Sequence, residues 1–154
     1  MDKIRVWVDG DACPQPIKSI LFKTAQRREV MTTVVANTSI RVPKSDYITV
    51  IAVPYGADVA DKRIVELMNE GDIVVTGDIP LAALVVEKKG IAIGTRGQLY
   101  DDSTVQSRLA SRNLGEQLRA AGMETKGPKP HTPKDTQTFA NQLDRLLTKA
   151  LRKK

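Results

Sequence analysis

Six aspartates, Asp9, Asp11, Asp58, Asp61, Asp72 and Asp78, are the residues whose type and spacing could do chemistry. In V6-W7-V8-D9-G10-D11 and V74-V75-T76-G77-D78 an apolar run of strand length stops and a carboxylate follows closely. Open α/β sheets bind their ligands at the edge where strands run out into loops. Carboxylates gathered there repel one another unless a cation or a proton neutralises them. The chemistry suggested is a divalent-metal site acting on phosphate.

Three constellations carry this reading. In D9-G10-D11-A12-C13-P14, a turn at Gly10 would aim both carboxylates into one site, and a helix N-terminus just beyond adds positive potential for anions. Asp9 is the stronger candidate, because Asp11 has a competing use as a cap for the helix opening at Pro14. Cys13 stands where a helix dipole would lower a thiol pKa. With no histidine near it in sequence, it reads as a packing residue. In G56-A57-D58-V59-A60-D61, a spacing of three puts Asp58 and Asp61 on one face of a first helical turn. The competing reading is an N-cap and a surface acid favoured by the helix dipole. In T76-G77-D78, a tight turn would aim Asp78 at a metal while Thr76 holds a water or a phosphate oxygen; here too an N-cap competes. Asp72 precedes its strand and so belongs to the opposite edge, with a structural role.

With one cysteine and one histidine, His131, the chain has no cysteine cluster and lacks the usual zinc ligands. Oxygen donors alone point to Mg²⁺ or Mn²⁺.

The elements that must position these residues alternate between strand and helix. Strands are predicted at Ile4–Val8, Val30–Ala36, Ile48–Val53, Ile73–Thr76 and Ile91–Ile93. Helices are predicted at Pro14–Arg28, Asp58–Asn69, Pro80–Lys89, Asp101–Ala121 and Asp135–Leu151. Residues 125–133 read as a Gly/Pro/Lys linker. On the last helix Phe139, Leu143, Leu146, Leu147 and Ala150 share one face. The pattern is a three-layer α/β/α sandwich around a mostly parallel five-stranded sheet, plus a C-terminal helix.

The chain has 154 residues, 41% hydrophobic and 27% charged, as expected of one globular domain. No run reaches the ~18 apolar residues of a membrane span, and the N-terminus enters a short strand without the features of a signal peptide. A cytoplasmic protein without membrane partners is expected. The net charge of +6 is uneven, with eight Lys/Arg against two Asp in residues 126–154 and 16 of each sign before them. Such a basic segment suits a polyanion, nucleic acid before membrane. Lys126, Lys129, Arg152, Lys153 and Lys154 would guide its backbone. Arg96, just past strand five, either contacts a phosphate bidentately or forms a structural ion pair. Aromatic residues are few and Trp7 lies within a strand, so base stacking is expected to contribute little and RNA bound through its backbone is favoured. An oligomer is compatible with all of this.

The runs VDGDACP, VVANTS, VPYGADVADKRIVELMNEGDIVVTGDIPLA, GTRGQLYDD and GPKPHTPKDTQTFANQLDRLL together resemble the YaiI/YqxD family of uncharacterised bacterial proteins over nearly the whole chain. That family is similar to PIN-like and NYN nuclease domains. The resemblance implies a Rossmann-like sandwich whose acidic cluster binds one or two Mg²⁺ or Mn²⁺ ions. It matches Asp9, Asp58 and Asp78 to the catalytic and metal-binding acids, with Asp11 and Asp61 beside them. Two departures stand out. The usual D-A-D-A-C-P reads D-G-D-A-C-P here, a change that only loosens the turn, and the expected K-D-R reads K134-D135-T136, which removes a cation. Nuclease chemistry is thus implied by the wider superfamily.

Two alternatives remain open. D9-G10-D11 also resembles the D-x-D of haloacid-dehalogenase-type phosphatases, in which the first Asp attacks phosphorus and the second is general acid; Thr38 or Ser39 would supply their next motif. Alternatively, the chain is a nucleic-acid-binding module without turnover.

Overall fold

The computed structural model describes residues 4–56, 58–107, 109–110 and 130–152. The elements are β1 (Val6–Asp9), α1 (Gln15–Arg28), β2 (Thr32–Ala36), β3 (Ile48–Ala52), α2 (Val59–Leu67), β4 (Ile73–Val75), α3 (Ile79–Glu87), β5 (Ile91–Ile93) and β6 (Leu99–Tyr100). A helix α4 follows, described at 102–107 and 109–110, and α5 (Pro133–Arg152) closes the described chain. The sheet order is β3-β2-β1-β4-β5-β6, with β1 to β5 parallel and only β6 antiparallel, against β5. The sixth strand is an addition to the five expected. Its two residues are too short to show a period, and only the turn at Thr95–Gln98 brings them back along β5.

Strand periodicity assigns the two faces. Val6 and Val8 join Val34, Ile73, Val75 and Ile93 in one core, under α1 and α5. Trp7, Val35, Val74 and Ala92, the alternate residues, join the other core under α2 and α3. All four residues of β1 are buried, as a central parallel strand covered on both faces must be.

The last helix obeys its sequence pattern. Phe139, Leu143 and Leu147 are buried against the first core, while Leu146 packs at its margin. Each such side chain contributes roughly 1.5–3 kcal/mol through burial; Phe139→Ala would cost about 3–5 kcal/mol. The N-terminus of α5 is closed by a reciprocal cap. Asp135 N–H donates to Thr132 Oγ1 at 3.1 Å, Thr132 N–H donates to Asp135 Oδ2 at 3.0 Å, and Pro133 takes the first turn, where no N–H is needed.

Candidate active site

The switch in strand order lies between β1, which leads to β2, and β4, which leads to β5. Ligand crevices in open α/β sheets form there, at the carboxyl ends of the strands. Val8 pairs with Val75, so one step further Asp9 faces Thr76 on the sheet side covered by α2 and α3. Thr76 Oγ1 donates to Asp9 Oδ2 at 3.0 Å, and both residues are buried. The same hydroxyl oxygen accepts the Asp78 N–H at 2.9 Å. Thr76 is therefore a link between two acids.

Asp78 serves as the N-cap of α3, its Oδ1 accepting the Leu81 N–H at 2.9 Å. Capping and site membership coexist, since this bond occupies one oxygen. Asp58 behaves differently. It precedes α2 in the left-handed region, at φ 62°, and its side chain caps nothing. Glu29 and Lys89, at the ends of α1 and α3, share this conformation, which aspartate adopts more readily than most residues. Asp61 follows Asp58 three residues later, in the first turn of α2.

Electrostatics ties these groups together. Burial and the charges of Asp78, Asp9 and Asp58 push the Asp61 carboxyl up to about 7. Asp9 is also raised, by burial first and then by Asp78 and Asp11, against the lowering effect of the Thr76 hydroxyl. Four carboxyls from β1, the start of α2 and the turn before α3 thus act on one another, although 49 and 20 residues separate Asp9, Asp58 and Asp78 in sequence.

Asp11 is directed elsewhere. Its Oδ2 accepts the Asn37 N–H and its Oδ1 the Thr38 hydroxyl, both at 2.8 Å. It neither caps α1 nor offers a free carboxyl to the site; it fastens the single 3-10 turn Gly10–Ala12 to the loop after β2. The same bonds occupy the groups that a phosphatase of the D-x-D type would need as general acid and second motif. Gly10 also does more than loosen this turn. A Cβ there would lie 2.5 Å from Val34 Cγ1 and 2.8 Å from Ile40 Cδ1, so its absence lets the turn pack on β2. Cys13 is buried with its thiol pushed up to about 12, chiefly by burial, which fits a packing residue.

Asp72 stands at the opposite edge and its carboxylate is fully engaged. Oδ1 accepts the Arg5 N–H at 3.2 Å, and Oδ2 accepts Trp7 Nε1–H at 3.0 Å and the Asn69 N–H at 2.9 Å. Arg5 Nε adds an ion pair at 3.8 Å.

The basic residues separate. Arg96 forms an ion pair with Asp135 at 2.7 Å and donates to the Pro130 carbonyl at 3.3 Å, anchoring the start of α5. His131 Nε2 lies 2.9 Å from the Thr95 carbonyl, and at Gly97, φ 87°, a Cβ would strike the α5 backbone at Thr138 and Phe139. The turn after β5 is thus a dock for α5. From there the helix runs to the far end of the molecule, where Asp144 and Thr148 meet Arg28 at the end of α1. Arg152, in its last turn, is about a helix length of ~30 Å from the carboxyl edge. Lys126, Lys129, Lys153 and Lys154 lie outside the described residues.

Sequence reasoning passed over Asn37, the amide partner of Asp11, and Tyr55. Tyr55 is 91% exposed in the turn between β3 and Asp58. The signal for it was P54-Y55-G56, which holds an aromatic ring in a turn too short to bury it.

All donors in the cluster are hard oxygens, and their mutual repulsion is what a divalent cation relieves, so the donor chemistry fits Mg²⁺ or Mn²⁺. Among the described residues no three His, Cys, Asp or Glu side chains stand together as a ready ligand set. No described helix is long and apolar enough to cross a membrane.

No solved structure matches the chain. It is 50% identical to the UPF0178 protein HEAR0259 of Herminiimonas arsenicoxydans, over 95% of this chain and 98% of the relative. To a UPF0178 protein of Maridesulfovibrio salexigens it is 51% identical, over 96% and 98%. To one of Hydrogenovibrio crunogenus it is 48% identical, over 98% and 100%. A family model described as "Uncharacterized BCR, YaiI/YqxD family" matches residues 7–149, and with it the strands and turns that carry Asp9, Asp58 and Asp78: the chain belongs to the YaiI/YqxD family.

Proposed function

We propose that the chain is a cytoplasmic, Mg²⁺- or Mn²⁺-dependent nuclease that hydrolyses phosphodiester bonds, with RNA as the favoured substrate. The observation that carries this reading is the gathering of acids at the strand-order switch, where Thr76 links Asp9 to the turn of Asp78 and the charges of Asp9, Asp58 and Asp78 all bear on Asp61. Asp9, Asp58 and Asp78 would hold the cation, which when bound lowers the pKa of water and stabilises charge on the leaving oxygen. Thr76 fixes the Asp9 carboxylate through its hydroxyl. Asp61, raised by burial and by the neighbouring charges, would give up its proton when a positive partner arrives. Asp11 supports the site indirectly, by holding the turn after Asp9. Lys126 and Lys129, part of the basic C-terminal segment, would guide a phosphate backbone through their charge.

The test is cleavage of single-stranded RNA, structured RNA and DNA with Mn²⁺, using wild type, Asp9→Asn and Asp78→Asn. Comparable loss in both variants supports the nuclease. An acyl-phosphate trapped on Asp9 with a phosphomonoester would replace this reading with a phosphatase. Salt-sensitive binding without cleavage of any substrate would leave a binding module.

A further inference from the structure

The composition predicts little base stacking, yet one ring is set where stacking would count. Tyr55 is 91% exposed, the most exposed of the large apolar side chains among the described residues. It stands in the turn that leads from the carboxyl end of β3 to Asp58, three residues before that acid. An aromatic side chain offers 150–250 Å² for burial, so leaving nearly all of it in water forgoes a large stabilisation. A partner that covers the ring recovers it.

Beside the turn lies an open groove of about 410 Å³, formed between the edge strand β3 and α2. Val53, Pro54 and Val59 supply apolar walls, and Lys62, Arg63 and Glu66 line the other side. Arg63 is paired with Glu66 at 2.9 Å. Lys62 sits one helical turn from Asp58, its N–H donating to the Asp58 carbonyl at 3.0 Å, and its ammonium has no hydrogen-bond or ion-pair partner among the described residues. An exposed ring, two acids and a free cation therefore follow one another within eight residues, as Tyr55, Asp58, Asp61 and Lys62. A nucleotide carries the complement: a flat base, then an anionic phosphate. In a duplex the base faces are already stacked, so only an unpaired base can lie on the ring.

We propose that Tyr55 is a stacking platform for an unpaired base of a single-stranded nucleic acid, whose backbone passes Lys62 on its way to Asp58 and Asp61. The sugar is not discriminated by these groups, so RNA and DNA strands are both bound. The proposal rests on the acidic edge being a nucleic-acid site, and deepens that reading by naming the strand state of the substrate.

Binding is measured by fluorescence anisotropy with a short labelled oligouridylate, its DNA counterpart, an abasic oligonucleotide and a duplex, at low salt with Ca²⁺ in place of Mn²⁺. Tyr55→Ala is expected to weaken single-strand binding by roughly 5- to 100-fold, the worth of one stacked base, while Tyr55→Phe stays within about two-fold. Lys62→Gln is expected to reduce the slope of log K against log salt by about one. The abasic strand should bind weakly and be indifferent to Tyr55→Ala, as should the duplex. Because the ring is exposed, unchanged melting of Tyr55→Ala serves as the folding control. Equal single-strand affinity in wild type and Tyr55→Ala, or equal affinity for abasic and normal strands, overturns the proposal. If no strand binds at low salt, the proposal and the nuclease both fall. Cleavage lost in Asp9→Asn alongside Tyr55-independent binding would sink the platform alone, whereas Tyr55-dependent binding without cleavage would sink the nuclease alone.

Discussion

The Thr76 hydroxyl joins two acids: it donates to Asp9 Oδ2 at 3.0 Å and accepts the Asp78 N–H at 2.9 Å. β1 and β4 are neighbours whose register puts Asp9 opposite Thr76, so this bond is a product of strand pairing, and the turn that aims Asp78 is built on it. Thr76→Val should leave a buried carboxylate without its donor and cost about 1–3 kcal/mol in denaturant unfolding. Thr76→Ser should keep most of the stability. Equal stability of Thr76→Val and wild type would mean that the bond contributes nothing.

Asp9 is raised mainly because it is buried, and its charge is further disfavoured by Asp78 and Asp11. Asp9→Asn removes that charge without changing shape. It should melt no lower than wild type at pH 8, and by up to about 1 kcal/mol higher, while abolishing cleavage, as when stability is given up for a functional site. A large loss of stability would instead make Asp9 a structural acid.

Asp61 yields a pH prediction. Its folded value of about 7 exceeds the 3.8 of an unperturbed aspartate, so between these values the folded state binds the extra proton. The Asp61 contribution is present in full below about pH 4 and is lost as the pH rises through about 7. In melting curves, wild type should fall behind Asp61→Asn over this interval by on the order of a few degrees. Mn²⁺ should stabilise wild type more at pH 8 than at pH 5.5, since carboxylates must lose protons to bind it. A pH-independent difference between wild type and Asp61→Asn would refute the assignment.

Asp72 is the control for the cluster, an acid of the other edge. Asp72→Ala strips partners from Arg5 N–H, Trp7 Nε1–H and Asn69 N–H together. Unfolding should become easier by about 3 kcal/mol or more, with no change in Mn²⁺ affinity of the folded fraction.

Arg96 and Gly97 are expected to act on α5. Gly97→Ala should destabilise by more than about 1 kcal/mol, because φ is 87° and its Cβ would meet the α5 backbone. Arg96→Gln should raise hydrogen exchange in α5 and leave the salt dependence of RNA binding unchanged. A reduced salt slope would return Arg96 to the phosphate contacts.

The sequence by itself determined the alternation of strands and helices, the buried face of α5 and the presence of acids at strand ends. These rest on local period and on residues that stop elements, and a chain carries both in consecutive positions. It also separated Asp72 from the others, because an acid before a strand and an acid after one fall on opposite edges. Only the tertiary structure decided which acids meet. Asp9 and Thr76 are neighbours through the register of β1 on β4, and Asp9 and Asp78 bear on Asp61 because the fold brings the ends of β1 and β4 to the start of α2. The uses of Asp11, Arg96 and Arg152 were equally beyond local reading. Each depends on what a distant segment presents, whether the Asn37 amide, the Asp135 carboxylate or the direction in which α5 lies, and sequence spacing carries no distance between segments that pair across the fold.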